Sequence, residues 1–261
     1  TRDIKLTVKY VEDNENVFEA TQKLLGDILV GNETEHDKVF EVKKDAKVAF
    51  TGSLDVSPVK KQMKEIEERF NRTNVDPTTI TISDYSSTFT AKLTLPEEMD
   101  FDGNPQVSLL NDNGKYKIVS SNVNGKTIEV VMTVNKDVNT FAELKDAVNG
   151  MEDKLNVVVN GAKFNNKASE NTNYTVKGTM TGELKAKAKD TRTGAVINFK
   201  LNWEAEQLPE GADAINPTSK DITFTLKYVS NEQPVVPPVN PTNPEKPKLP
   251  KTAVGTDIAL Y

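Results

Sequence analysis

The sequence predicts an α+β fold, mainly antiparallel β, with two tandem related modules that are β-sandwich-like and carry short helices, followed by an extended proline-rich tail. Three observations lead there. Short stretches alternate apolar and polar residues, as in "DIKLTVKYV" (3–11) and "DITFTLKYV" (221–229), the period of a half-buried strand. Three stretches carry helix signals, after Phe18, after Phe141 and over 57–71. From residue 230 the composition turns abruptly to proline.

Module organisation follows from ordered echoes. The 3–11 and 221–229 stretches share six of nine positions, and "TIEVVMTV" (127–134) is a looser third version. "VEDNENVF" (11–18) aligns with "VNKDVNTF" (134–141), "KVAFTGSL" (47–54) with "KGTMTGEL" (177–184), and "LTLPEEMDF" (93–101) with "EQLPEGADA" (206–214). A series in the same order reads as duplication: module one over 12–135, module two over 136–230. Each should open on a helix near Phe18 or Phe141, run through antiparallel strands to a Leu-Pro-Glu turn, and finish on a closing strand. Residues 1–11 would then be the closing strand of an upstream repeat, or an edge strand of module one. Thr1 stands first, as expected of a mature or excised piece.

Individual elements have local reasons. Module one carries an insertion, "SPVKKQMKEIEERFN" (57–71), read as a helix over 58–70. Ser57 suits an N-cap, Pro58 the first turn, and Val59, Met63, Ile66 and Phe70 fall on one face. In module two Asn139 or Thr140 can cap, and Glu143 stands three residues after Thr140, the spacing of a capping box. Residues 106–134 read as a meander with turns at "NDNG" (111–114) and "NVNG" (122–125), since Asn-Gly between strands is a strong hairpin signal.

Composition excludes several functions. The 261 residues carry a formal charge of −6, and lysines are scattered singly, so no nucleic-acid footprint is present. Cysteine is absent, which removes disulfides and thiolate sites. No apolar run reaches 18 residues. The sole histidine, His36, lies in a polar stretch without a Gly-x-Ser-x-Gly partner motif, so no serine hydrolase site forms around it. Asp100, Asp102 and Asn104 are spaced like the start of a calcium loop. Gly103 falls at the fourth position, however, and Asn111 stands where a bidentate glutamate belongs, so the stretch reads as a turn. The Glu97–Glu98 pair reads as a solvated face. No cofactor is expected and no enzymatic role is assigned.

The tail is the most specific feature. "SNEQPVVPPVNPTNPEKPKLP" (230–250) holds seven prolines, a composition that favours extended polyproline II spacing. It ends in Leu249, Pro250, Lys251, Thr252 and Ala253, which resembles the Leu-Pro-x-Thr-Gly sorting signal of Gram-positive cell-wall-anchored surface proteins. That resemblance implies a sortase that cuts between Thr252 and Ala253 and joins the threonine carbonyl to peptidoglycan. It also implies export and a cell-wall location. Ala253 departs from the usual glycine. The segment "FKLNWEAEQLPEG" (199–211) loosely resembles the region around the buried acid that promotes Lys–Asn isopeptide bonds in pilins and related modules, with Glu204 or Glu206 as the acid. The expectation is an adhesin or stalk region with a binding or spacing role, its partners a sortase, peptidoglycan and a host extracellular protein or glycan. The alternatives are a sortase-polymerised pilin subunit and a secreted carboxylate-dependent hydrolase.

Overall fold

The computed structural model describes residues 5–9, 16–31, 39–207 and 222–229. Strands β1 (Lys5–Lys9), β2 (Asn16–Val30), β3 (Phe40–Lys43) and β4 (Val48–Asp55) lead to helix α1 (Ser57–Thr73). Then come β5 (Ile80–Thr94), β6 (Met99–Leu110), β7 (Tyr116–Asn124) and β8 (Thr127–Val134), helix α2 (Phe141–Asn149), β9 (Lys154–Phe164), β10 (Thr172–Asp190), β11 (Val196–Glu206) and β12 (Ile222–Val229). The hydrogen-bonded order is β6-β9-β4-β2-β11-β10-β5-β8-β7, with β1 on β2 and β12 between β10 and β3. Among these pairings only β11–β2 and β12–β3 are parallel.

Two long strands serve two layers each. Residues 16–25 of β2 pair with β11, and residues 26–30 pair with β4. Gly26 sits at that handover, where an added Cβ would lie 2.6 Å from Ile222 and 2.8 Å from Ala205. Only a residue without a side chain lets β2 pass so close. Along β10 every second residue from Tyr174 to Ala188 is buried, so a single face runs the length of the strand. Its first half joins β5, β8 and β12 against β4, β9 and the end of β2. Ile28, Phe50, Val157 and Val159 meet Leu93, Ile128, Met180 and Ile222 there, leaving about 30 Å³ between the layers. This is the β-sandwich part of the molecule, packed to the density expected of a core.

The second half of β10 faces the helices. α1 begins at Ser57, one residue earlier than expected, and Ser57 is not its cap. The N-cap residue is Val56, and the Ser57 hydroxyl donates to Asp55 instead (2.6 Å). The helix ends on Asn74 in the left-handed region (φ 53°), which Asn tolerates. Val59 and Met63 are buried, and Ile66 and Phe70 pack partly, as the spacing predicts. α2 has the full capping box: the Thr140 hydroxyl accepts from the Glu143 N–H, and the Glu143 carboxylate accepts from the Thr140 N–H.

Three expectations are corrected. The stretch after Phe18 is strand, not helix, because Ala20, Leu24, Gly26, Ile28 and Val30 are buried at period two and Gly26 would weaken a helix. The segment 106–134 is not a meander. β6 pairs with β9 and β7 with β8, so Asn111–Gly114 is a corner between layers, turned by positive φ at Asn111, Asn113 and Gly114. The β7–β8 hairpin does turn at Gly125 (φ 59°) between the paired Asn124 and Thr127. Finally, 12–135 and 136–230 do not form separate bodies: β9 lies between β6 and β4, β10 beside β5, and Thr1–Ser230 is one unit. Phe18 is on a strand and Phe141 opens a helix, so the two echoed segments fold differently. β1 pairs antiparallel with β2. The second Leu-Pro-Glu segment and the proline-rich tail lie outside the described residues.

Candidate functional site

Between the helices and the sheet lies an apolar chamber of about 570 Å³. Its floor is one face of four adjacent strands, β2, β11, β10 and β5. Period-two alternation aims Ile197, Phe199, Leu201 and Trp203 of β11 into it, beside Leu184, Ala186 and Ala188 of β10. Its roof is the apolar face of α1 (Val59, Met63, Ile66, Phe70) and of α2 (Phe141, Leu144, Val148). The helices meet through Phe70 and Phe141, ring centroids 4.9 Å apart. On the floor Phe18 meets Phe199 at 5.7 Å.

Space remains because four floor and wall positions are alanine: Ala20, Ala186, Ala188 and Ala195. Ile197 on the floor is 38 % exposed, so the space opens to solvent and leaves apolar lining facing water. Water is a poor occupant, since a buried water needs two to four polar partners. The polar residues of the lining are Gln62, Glu65 and Arg69 of α1, with Asp190. Asp190 is committed to its own loop. It accepts from the Arg192 N–H (2.9 Å), Thr193 (3.0 Å) and Thr79 (3.1 Å), and these bonds, the Arg192 N–H first, hold its carboxyl below the usual range. Glu65 and Arg69 are exposed and mark the mouth. Volume and lining match the class of sites that hold small, mostly apolar ligands.

The residues singled out from sequence lie elsewhere. Asp100 and Asp102 sit on β6, at the irregularity between Phe101 and Gln106 in its pairing with β9. They face lysines. Asp100 accepts from Lys126 (2.6 Å) and Asn165 (2.9 Å), while Asp102 pairs with Lys47 (2.6 Å) and Lys163 (2.9 Å). The two ammonium groups, Lys47 foremost, hold Asp102 at about 2. Asn104 lies on the same strand, and no cluster of three or more metal-ligating side chains occurs among the described residues. The "DFDGN" stretch is thus a strand irregularity rather than a turn. Glu97 lies in the β5–β6 turn and pairs with Lys167 (3.6 Å).

Glu206, the last residue of β11, is 2 % exposed and forms an ion pair with Lys23 of β2, whose side chain is half exposed. Burial of this acid is the one property of an isopeptide promoter that β11 supplies. Among the described residues its carboxylate is paired with Lys23. Glu204 is half-buried. Beside it, Gln207 bonds the backbone of Thr223 on β12 in both directions (2.9 Å each). His36 and Leu249–Ala253 lie outside the described residues.

No protein-family model matches the chain, and no curated protein matches it by sequence. Solved structures do. The major pilin subunit of Bacillus cereus is 8 % identical, with a TM-score of 0.33, over 70 % of this chain and 40 % of that one. The pilus backbone of Streptococcus pneumoniae is 8 % identical, with a TM-score of 0.37, over 80 % of this chain and 100 % of that one. The collagen-binding subdomain of the Enterococcus faecalis surface protein ACE is 9 % identical, with a TM-score of 0.28, over 66 % and 99 %. These neighbours are pilins and surface adhesins of Gram-positive bacteria.

Sequence reasoning missed the chamber. Its signal was present as alternation at 184–188 and 197–203, but the neighbouring strand was not readable from either stretch.

Proposed function

We propose that the chain is part of a cell-wall-anchored bacterial surface protein with a binding or spacing role, displayed through a sortase signal at Leu249–Ala253. One observation carries this reading: the pentapeptide Leu-Pro-Lys-Thr-Ala follows a proline-spaced segment that begins directly after the last strand. A sortase grips an extended strand in a groove, and a proline spacer presents such a strand away from a folded body. Leu249, Pro250 and Thr252 are the gripped positions, Lys251 fills the free one, and Thr252 becomes the acyl donor after loss of the Ala253 amine.

Incubation with a wall-type sortase and a triglycine nucleophile tests it. Mass spectrometry should show a conjugate that ends at Thr252 and carries the added peptide. Thr252→Ala should abolish the product, and Ala253→Gly should retain or increase it. If sortases of several wall classes leave both the wild type and Ala253→Gly uncut, the anchoring reading falls.

A further inference from the structure

Independently of how the protein is displayed, we propose that the chamber between α1, α2 and the β2–β11–β10–β5 face binds a long-chain amphiphile, an alkyl chain with an anionic head. Three properties fix the occupant's chemistry. The volume of about 570 Å³ falls within the range of ligand sites, and the alanines of the floor leave it open. The polar lining consists of Gln62, Glu65, Arg69 and Asp190, and Asp190 is already bonded. A peptide placed inside would strand its backbone N–H and C=O groups without partners, which is costly, whereas a hydrocarbon chain brings none. At the mouth, Arg69 is exposed and makes no ion pair among the described residues. Its guanidinium suits a carboxylate or phosphate head in a bidentate fork. Glu65, one turn earlier, carries the opposite charge and sets a preference for heads that reach Arg69.

Trp203, the only tryptophan of the chain, lies on the chamber floor. It serves as an energy donor to a polyene fatty acid such as cis-parinaric acid. Titration of the full chain should give saturable transfer from Trp203 at one probe per chain. Unlabelled palmitate should displace the probe, and hexadecanol should do so less well. Ala186→Phe, which fills the floor, should abolish transfer while the melting temperature holds or rises. Ala188→Leu is the milder second filler. Arg69→Gln should weaken palmitate about 2- to 5-fold, the scale of an exposed charge pair.

Absence of saturable transfer in the wild type overturns the proposal. So does undiminished transfer in a folded Ala186→Phe or Ala188→Leu chain, or a melting temperature lowered by both fillers, which would mean there is no space to fill. Equal displacement by palmitate and hexadecanol, or unchanged affinity in Arg69→Gln, overturns the anionic head. Thr252→Ala, which removes sortase processing, should bind the probe like the wild type, so failure of either proposal can be told from failure of the other.

Discussion

Trp203 of β11 stacks on Phe89 of β5, ring centroids 5.7 Å apart and planes 6° from parallel, although these strands do not pair. β10 runs between them, and the residue opposite both rings is Gly182. The rings close over the space that a side chain would occupy. A Cβ on Gly182 would stand 2.8 Å from Trp203 and 3.0 Å from Phe89.

Gly182→Ala should therefore part this stack. Overpacking of a closed core costs about 1–3 kcal/mol, against a gain of a few tenths from reduced chain entropy. A lowered melting temperature with altered Trp203 fluorescence is the expected outcome. An unchanged emission spectrum and melting temperature would show that the rings are not fixed over Gly182.

Tyr116 and Phe89 meet edge to face (5.6 Å, 87°), and the buried Tyr116 hydroxyl has no hydrogen-bond partner among the described residues. Burial is the largest cause that pushes this phenol above its ordinary range. Tyr116→Phe keeps the ring and removes the unsatisfied group. It should stabilise the protein by about 1 kcal/mol, the lower end of the penalty for an unpaired buried polar group. A clear loss of stability would reveal a hydrogen bond to that hydroxyl.

At the start of α2, Thr140→Ala removes the cap that accepts from Glu143. A loss of about 1 kcal/mol is expected. Glu143→Gln should lose less, since an amide oxygen can still accept from the Asn139 and Thr140 N–H groups (2.7 and 3.0 Å). Denaturant titration of both variants checks the order, and a reversed order would refute the capping-box geometry.

The Asp102 pairs predict a pH signature. Hydrogen bonds and charge from Lys47, then Lys163, lower its folded value from 3.8 to about 2. A depressed carboxyl contributes stability that is present above its unfolded value and disappears as pH falls through the folded one. The difference between the wild type and Asp102→Asn should be constant above pH 4, shrink between pH 4 and pH 2, and vanish below. The side chain is about a third exposed, so the effect should be small and should weaken with salt. Melting temperatures across that range, at two ionic strengths, provide the check. A difference undiminished between pH 4 and pH 2 would mean that Asp102 acts through something other than its charge.

Elements set by neighbours in the chain were legible. Thr140 and Glu143 are three residues apart, so the capping box is a local fact. The same holds for the Gly125 turn and for the apolar row Val59, Met63, Ile66 and Phe70. Alternation in 184–188 and 197–203 likewise states that these are strands with one buried face. What alternation cannot state is which strand lies alongside, because period two encodes a face and not a neighbour. The echoes between 47–54 and 177–184 suggested two bodies, yet both segments are strands of one interleaved unit. Whether Glu206 would be buried, and whether four strands and two helices would leave a chamber between them, depended on contacts between residues more than a hundred positions apart. Such contacts are selected by the packing of the whole core rather than by any local preference. The tail is the opposite case: its reading rests on residue order alone, a proline-spaced stretch and the five residues that end it.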